Sequence, residues 1–176
     1  MTNDAFGILI GRARSYIGER IMRKIQRIAI DAMMAAVLVI LGMIKIPSFI
    51  PGAEFQLSAP FAVLLAAQAG FGRYMGIGVC SSVVQLALGT HTIWNVVISM
   101  VFRIAAGLTV TYFPWKRMGL MIAGPIGTLT ARIVLAAMLG VSAWPLMAAA
   151  VPGMIFTVVL VVLCRPASEV IRKQVQ

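Results

Sequence analysis

The stretch HTIWNVVISMVFRIAAG, His91 to Gly107, reads as a membrane-spanning helix with an arginine in its middle. His91, Asn95, Ser99 and Arg103 recur every four residues, which places them on one face of a helix. The other faces carry Val, Ile, Met and Phe. At 1.5 Å per residue, Arg103 lies about 18 Å below His91. A polar face of that depth, ending in a cation, does not look at lipid; it faces a bundle interior or a wet cavity. Two readings fit it. The stripe lines a ligand cavity, or Asn95 and Ser99 bond neighbouring helices while Arg103 pairs with a carboxylate for folding. Asp31 and Glu54 are the membrane-proximal acids available for such a pair.

Composition supports the membrane setting. The 176-residue chain is 61% hydrophobic and 11% charged, whereas a soluble domain is about 45–50% apolar and about 25% charged. A spanning helix needs about 20 mostly apolar residues, and six candidate spans are legible: Ile28–Ile44, Ala59–Phe71, Tyr74–Leu88, Thr92–Phe113, Met118–Leu139 and Trp144–Leu163. The second and third are short, and GFGR at Gly70–Arg73 leaves room for one broken hairpin. The expected fold is all-α, a six-helix membrane bundle. Residues 1–27 form a basic segment and residues 28–176 the membrane domain.

The charge pattern orients it. With six spans and the N-terminus in the cytoplasm, twelve of the fifteen basic residues fall on the cytoplasmic side, Lys45 falls outside, and Arg103 and Arg132 lie within the membrane. This is the positive-inside distribution, with both termini cytoplasmic. The net charge of +10 therefore reads as membrane orientation, and nucleic acid is not an expected partner. The segment Gly7–Arg27 mixes Ile, Leu, Met and Tyr with basic residues. It suits either an amphipathic helix on the bilayer surface or extra turns of the first helix plus a loose tail. Its polar character is not that of a signal peptide. Cys80 and Cys164 read as small hydrophobes, with no metal-ligand or disulfide spacing.

In this topology three helices start on the outer face. Ser58 with Pro60, Thr90 or Thr92, and Ser142 with Pro145 are the start signals, and helix N-termini favour anions. Arg132, one turn after Thr128, lies in the outer half of the fifth span; it reaches a cavity or snorkels outward. Trp94 and Trp144 sit at outer helix ends, as interfacial belt residues or as stacking platforms for a flat ring. The connection KIPSFIPGAEFQLSAP, Lys45 to Pro60, is too rich in proline for helix and too apolar for a solvated loop. It suits a lid over the outer mouth or a passive plug, with Glu54 and Gln56 alternating with its apolar residues.

Known enzymatic signatures are missing. There is no GxxxxGK[ST], GxSxG or HExxH, and His91 is the single histidine. Neither catalysis nor a bound metal or cofactor is expected, and no internal repeat of the transporter kind is visible. Ala32 and Ala36 form a small-xxx-small pair on the first helix. Such a pair permits close helix approach, within the bundle or to a partner in the membrane.

The alanine-rich first helix, IPSFIPGAEFQLSAP, the GFGRYMGIG junction and LGTHTIWNVV together resemble the substrate-binding S components of energy-coupling factor (ECF) transporters. The resemblance covers Ile28 to about Arg172. The IP…G…F lead into the second helix, and a proline-containing last helix followed by RPASEVIRK, look most like the tryptophan-type S components. The resemblance implies capture of a vitamin or other micronutrient at the outer face of the cell membrane. It implies association with a transmembrane coupling subunit and two ATPase subunits. Ala32 and Ala36 match the positions that contact the coupling subunit. The substrate, carboxylate-bearing or otherwise anionic, would sit among Glu54, Gln56, Thr90, His91, Trp94, Asn95, Ser99 and Trp144, with Arg103 and Arg132 as the floor. The competing class is a small membrane scaffold such as a cell-shape factor, which needs neither polar stripe nor lid.

Overall fold

The computed structural model of the chain describes residues 3–47, 54–113 and 116–175, with side chains for 16–44, 57–113, 117–164 and 166. The elements in order are α1 (Asn3–Met43), β1 (Lys45–Pro47), β2 (Glu54–Gln56), α2 (Ser58–Ala69), α3 (Phe71–Ala87), α4 (Ile93–Tyr112), α5 (Lys116–Leu139) and α6 (Ala143–Val175). Four helical segments are long and apolar enough to cross a membrane: Tyr16–Met43, Ile93–Tyr112, Arg117–Leu139 and Ala143–Cys164.

The chain divides into two units, Met1–Met34 and Ala35–Gln176. The first is the N-terminal part of α1. Its side chains 16–29 are exposed, and pairs one turn apart line the helix. Arg23 Nη2 lies 3.7 Å from Glu19 Oε2, and the Arg20 guanidinium stands 5.6 Å from the Tyr16 ring centroid. Such pairs add a few tenths of a kcal/mol each. α1 is 41 residues long, about 61 Å, roughly twice the hydrocarbon thickness. Gly7–Arg27 is helical, within α1.

The second unit holds the packed core. Val63 and Leu64 of α2, Ala106 of α4, Ala123 of α5 and Val161 of α6 form its centre, with Phe102, Val110 and Leu120 against them. Glycines set the close approaches. A Cβ on Gly124 would come 2.6 Å from Thr157 Cγ2 of α6, and one on Gly127 would come 2.9 Å from the Phe102 ring of α4. Helices in membranes pack closely where such small residues face a neighbour. Many large apolar side chains point outward instead, among them Val83, Ile104, Ile133, Ile155 and Val159. An apolar surface of this kind belongs in lipid.

α2 is apolar all round, and Pro60 and Ala62 to Ala66 are buried. With 12 residues, about 18 Å, it is shorter than a bilayer core and is an interior helix of the bundle. Gly70, at φ +76°, breaks the path into α3; a residue with a Cβ is strained there. α2 starts at Ser58 itself after Leu57, with no side-chain cap. The expected cap at Ser58 is thus corrected: the serine is the first helical residue, one position too late to cap. At α4 the expectation holds, since Thr92 Oγ1 accepts from Asn95 N. The connection after α1 contains an antiparallel pairing of β1 with β2 (Ile46 opposite Phe55), and β2 lies against α6. Residues 48–53, the middle of the lid stretch, fall outside the described residues.

Candidate functional site

α3 is turned inside out relative to a helix of a soluble protein. Its buried face carries Tyr74, Gly78, Ser81, Ser82 and Gln85, with Ile77 the single large aliphatic among them. Val79, Val83, Val84 and Leu86 are exposed. The buried polar positions recur at helical spacing, so they form a seam along one side. The facing element is α4, with Ser99 half-buried and Arg103 6% exposed.

Arg103 ties the seam together. Its Nη1 donates to Ser82 Oγ at 2.6 Å and to Ser99 Oγ at 3.4 Å, and its Nη2 donates to Ser81 Oγ at 3.0 Å. The serines have their protons committed elsewhere. Ser81 donates to the Gly78 carbonyl at 2.9 Å and Ser99 to the Val96 carbonyl at 2.8 Å. Ser82 and Ser99 lie 3.3 Å apart. With the Ser99 proton on Val96, Ser82 is the donor of that pair. The lone pairs of all three hydroxyls are thereby aimed at the cation. Gly78 makes this possible, because a Cβ there would stand 2.6 Å from Arg103 Cδ. One turn of α4 further on, Gly107 admits the Phe71 and Tyr74 rings in the same way.

Arg103 is thus held by three neutral hydroxyls among the described residues, not by the carboxylate that a folding pair would supply. Charges in membrane interiors are costly and ordinarily paired. Two further seam groups are buried without a hydrogen-bond partner among the described residues, Tyr74 Oη and Gln85 Oε1. Tyr74 is 0% and Gln85 3% exposed. Gln85 lies against Gly42 of α1, where a Cβ would come 2.9 Å from its Nε2.

The other expected site residues spread from this seam toward the surface. Thr90 Oγ1 donates to the Gln85 carbonyl at 3.0 Å, and the His91 amide reaches the same oxygen at 3.3 Å. Both are half-buried, whereas Trp94 and Asn95 are exposed. The stripe of α4 therefore runs from an open end at Asn95 to a buried end at Arg103. Trp144, at the start of α6, is 77% exposed. Arg132 is half-buried on α5. Glu54 and Gln56 occupy β2, and their side chains lie outside the described residues. Ala32 and Ala36 are exposed on α1. Tyr74, Gly78, Ser81, Ser82 and Gln85 were not expected; their spacing was the signal that could have found them. Among the described residues no cluster of His, Cys, Asp and Glu could hold a metal ion.

These features define a multi-pass helical membrane protein with a polar seam enclosed by an apolar exterior. No family model matches the chain. It is 46% identical over 130 residues to Protein BioX of Lysinibacillus sphaericus, a match covering 74% of this chain and 78% of that protein. The chain belongs to the BioX family.

Proposed function

We propose that this protein is the substrate-capture component of an ECF-type importer, taking up a carboxylate-bearing vitamin or related micronutrient from outside the cell. The observation that carries the reading is the seam. A stripe opening at Asn95 leads to a buried guanidinium that, among the described residues, is held by hydroxyls, and a ligand carboxylate is a stronger partner for such a group. The first syllable of the relative's name makes biotin the first acid to try. Tryptophan stays on the list because of the resemblance of the loop and last helix.

The topology supporting capture has both termini in the cytoplasm. It does not depend on whether the short α2 and α3 each cross or dip in as a broken hairpin, since either way the number of crossings is even. The exposed pair Ala32 and Ala36 is the surface offered to a transmembrane coupling subunit, with two ATPase subunits beneath it. The scaffold reading is favoured by one observation, the hydroxyl partners that Arg103 already has.

Thermal unfolding of the purified chain against vitamins and amino acids separates the two. A ligand that binds the folded state raises the midpoint as RT ln(1 + [L]/Kd). A saturable shift with one compound supports capture, and flat midpoints across the panel support the scaffold.

A further inference from the structure

Ser81 and Ser82 bond Arg103 across the α3–α4 contact, Tyr74 and Gln85 extend the same buried face of α3 on either side of them, and the last two carry polar atoms with no hydrogen-bond partner among the described residues. We infer that these α3 residues form the deep end of the ligand site, and that the ligand carries an acid group together with an N–H donor. The inference rests on the capture reading and names where and how capture is made.

Each group sets one requirement. Arg103 has three donors engaged by serine oxygens whose own protons point away from it. It favours an acceptor bearing full negative charge, to which guanidinium bonds are about twice as strong as to neutral oxygen. Tyr74 lies one turn before Gly78, against which the Arg103 stem is packed. Its hydroxyl is a donor with no acceptor among the described residues, and a carboxylate at Arg103 supplies one. Gln85 lies one turn beyond Ser81 on the same face. Its Oε1 is an acceptor with no donor among the described residues, and an N–H or O–H on the ligand serves it. The acid and the donor are therefore separated by about one to two helical turns, roughly 5–11 Å. A flexible acid with a cyclic urea, amide or indole N–H spans that distance. The close fit of Gln85 on Gly42 places the end of α1 against the donor end of this site.

The fold itself has little need of these two atoms. A buried polar atom without a partner weakens a fold, and its removal costs no hydrogen bond. Tyr74→Phe and Gln85→Leu should then leave the unliganded midpoint unchanged or higher. That keeps both variants foldable and makes binding the readout.

The test uses the full chain in detergent with biotin, tryptophan and pantothenate, their methyl esters, and neutral or cationic riboflavin and thiamine. The expected result is a saturable midpoint shift with at least one acid and none with its ester. Tyr74→Phe and Gln85→Leu should each weaken that acid's apparent Kd about tenfold, as loss of about 1.4 kcal/mol would, without lowering the unliganded midpoint. An acid that binds wild type and both variants equally overturns the α3 site and leaves capture standing. Binding of an ester or of riboflavin or thiamine, with no acid bound, overturns the acid class alone. Flat midpoints with every compound overturn the site and the capture reading together.

Discussion

Arg103 concentrates the chemistry of this protein, and its neighbours can be weighed one at a time. Ser82 gives it the shortest bond, 2.6 Å. Ser82→Ala should cost about 1–2 kcal/mol, the range for a polar contact between membrane helices, seen as a lower unfolding midpoint. Arg103→Lys keeps the charge but cannot reach Ser81, Ser82 and Ser99 together, because an ammonium lacks the planar fork. It should be folded, measurably less stable than wild type by the same midpoint, and poor at binding acids. The sequence made one half of the seam legible. A four-residue spacing of His, Asn, Ser and Arg in an apolar run is hard to miss. The α3 half escaped because serine and glycine are ordinary in membrane helices, and Tyr74 and Gln85 stand eleven residues apart. That spacing puts them on one face, but only the packing against α4 shows that the face is buried.

At the scale of elements, helix contacts depend on glycines that differ in what surrounds them. Gly124→Ala meets Thr157 of α6, and Gly127→Ala meets the Phe102 ring and its carbonyl on α4. Overpacking of this kind costs about 1–3 kcal/mol. Gly153 of α6 has nothing within 4 Å of a new Cβ, so Gly153→Ala should be neutral or stabilising by up to about 1 kcal/mol. Comparing the three midpoints checks the packing directly. Spans four and five were read from the sequence to within a residue or two, since hydropathy and helix end together there. α1 and α6 run well past the expected spans, Ile28–Ile44 and Trp144–Leu163. Apolarity marks where a helix meets lipid, not where its hydrogen bonding stops. The β1–β2 pairing was invisible for a related reason: prolines argue against helix but do not announce a three-residue strand.

For the whole molecule, the account requires an even number of crossings and an open seam end outside. In a variant lacking Cys80 and Cys164, which are both exposed, single cysteines should report this. Val141→Cys, at an exposed position in the α5–α6 turn, should react with an impermeant maleimide on intact cells. Tyr16→Cys should react only after permeabilisation. Equal reactivity of the two sites in intact cells would contradict the topology.

The central claim is capture of an acidic small molecule from outside through a seam that ends at Arg103. The most direct measurement is saturable binding of labelled biotin, or of whichever acid shifts the midpoint, to energy-depleted intact cells producing wild type or Arg103→Ala at matched membrane levels. The account predicts binding with wild type and its loss, by tenfold or more in Kd, with Arg103→Ala. Binding that is equal in the two, or confined to inside-out vesicles, would contradict it.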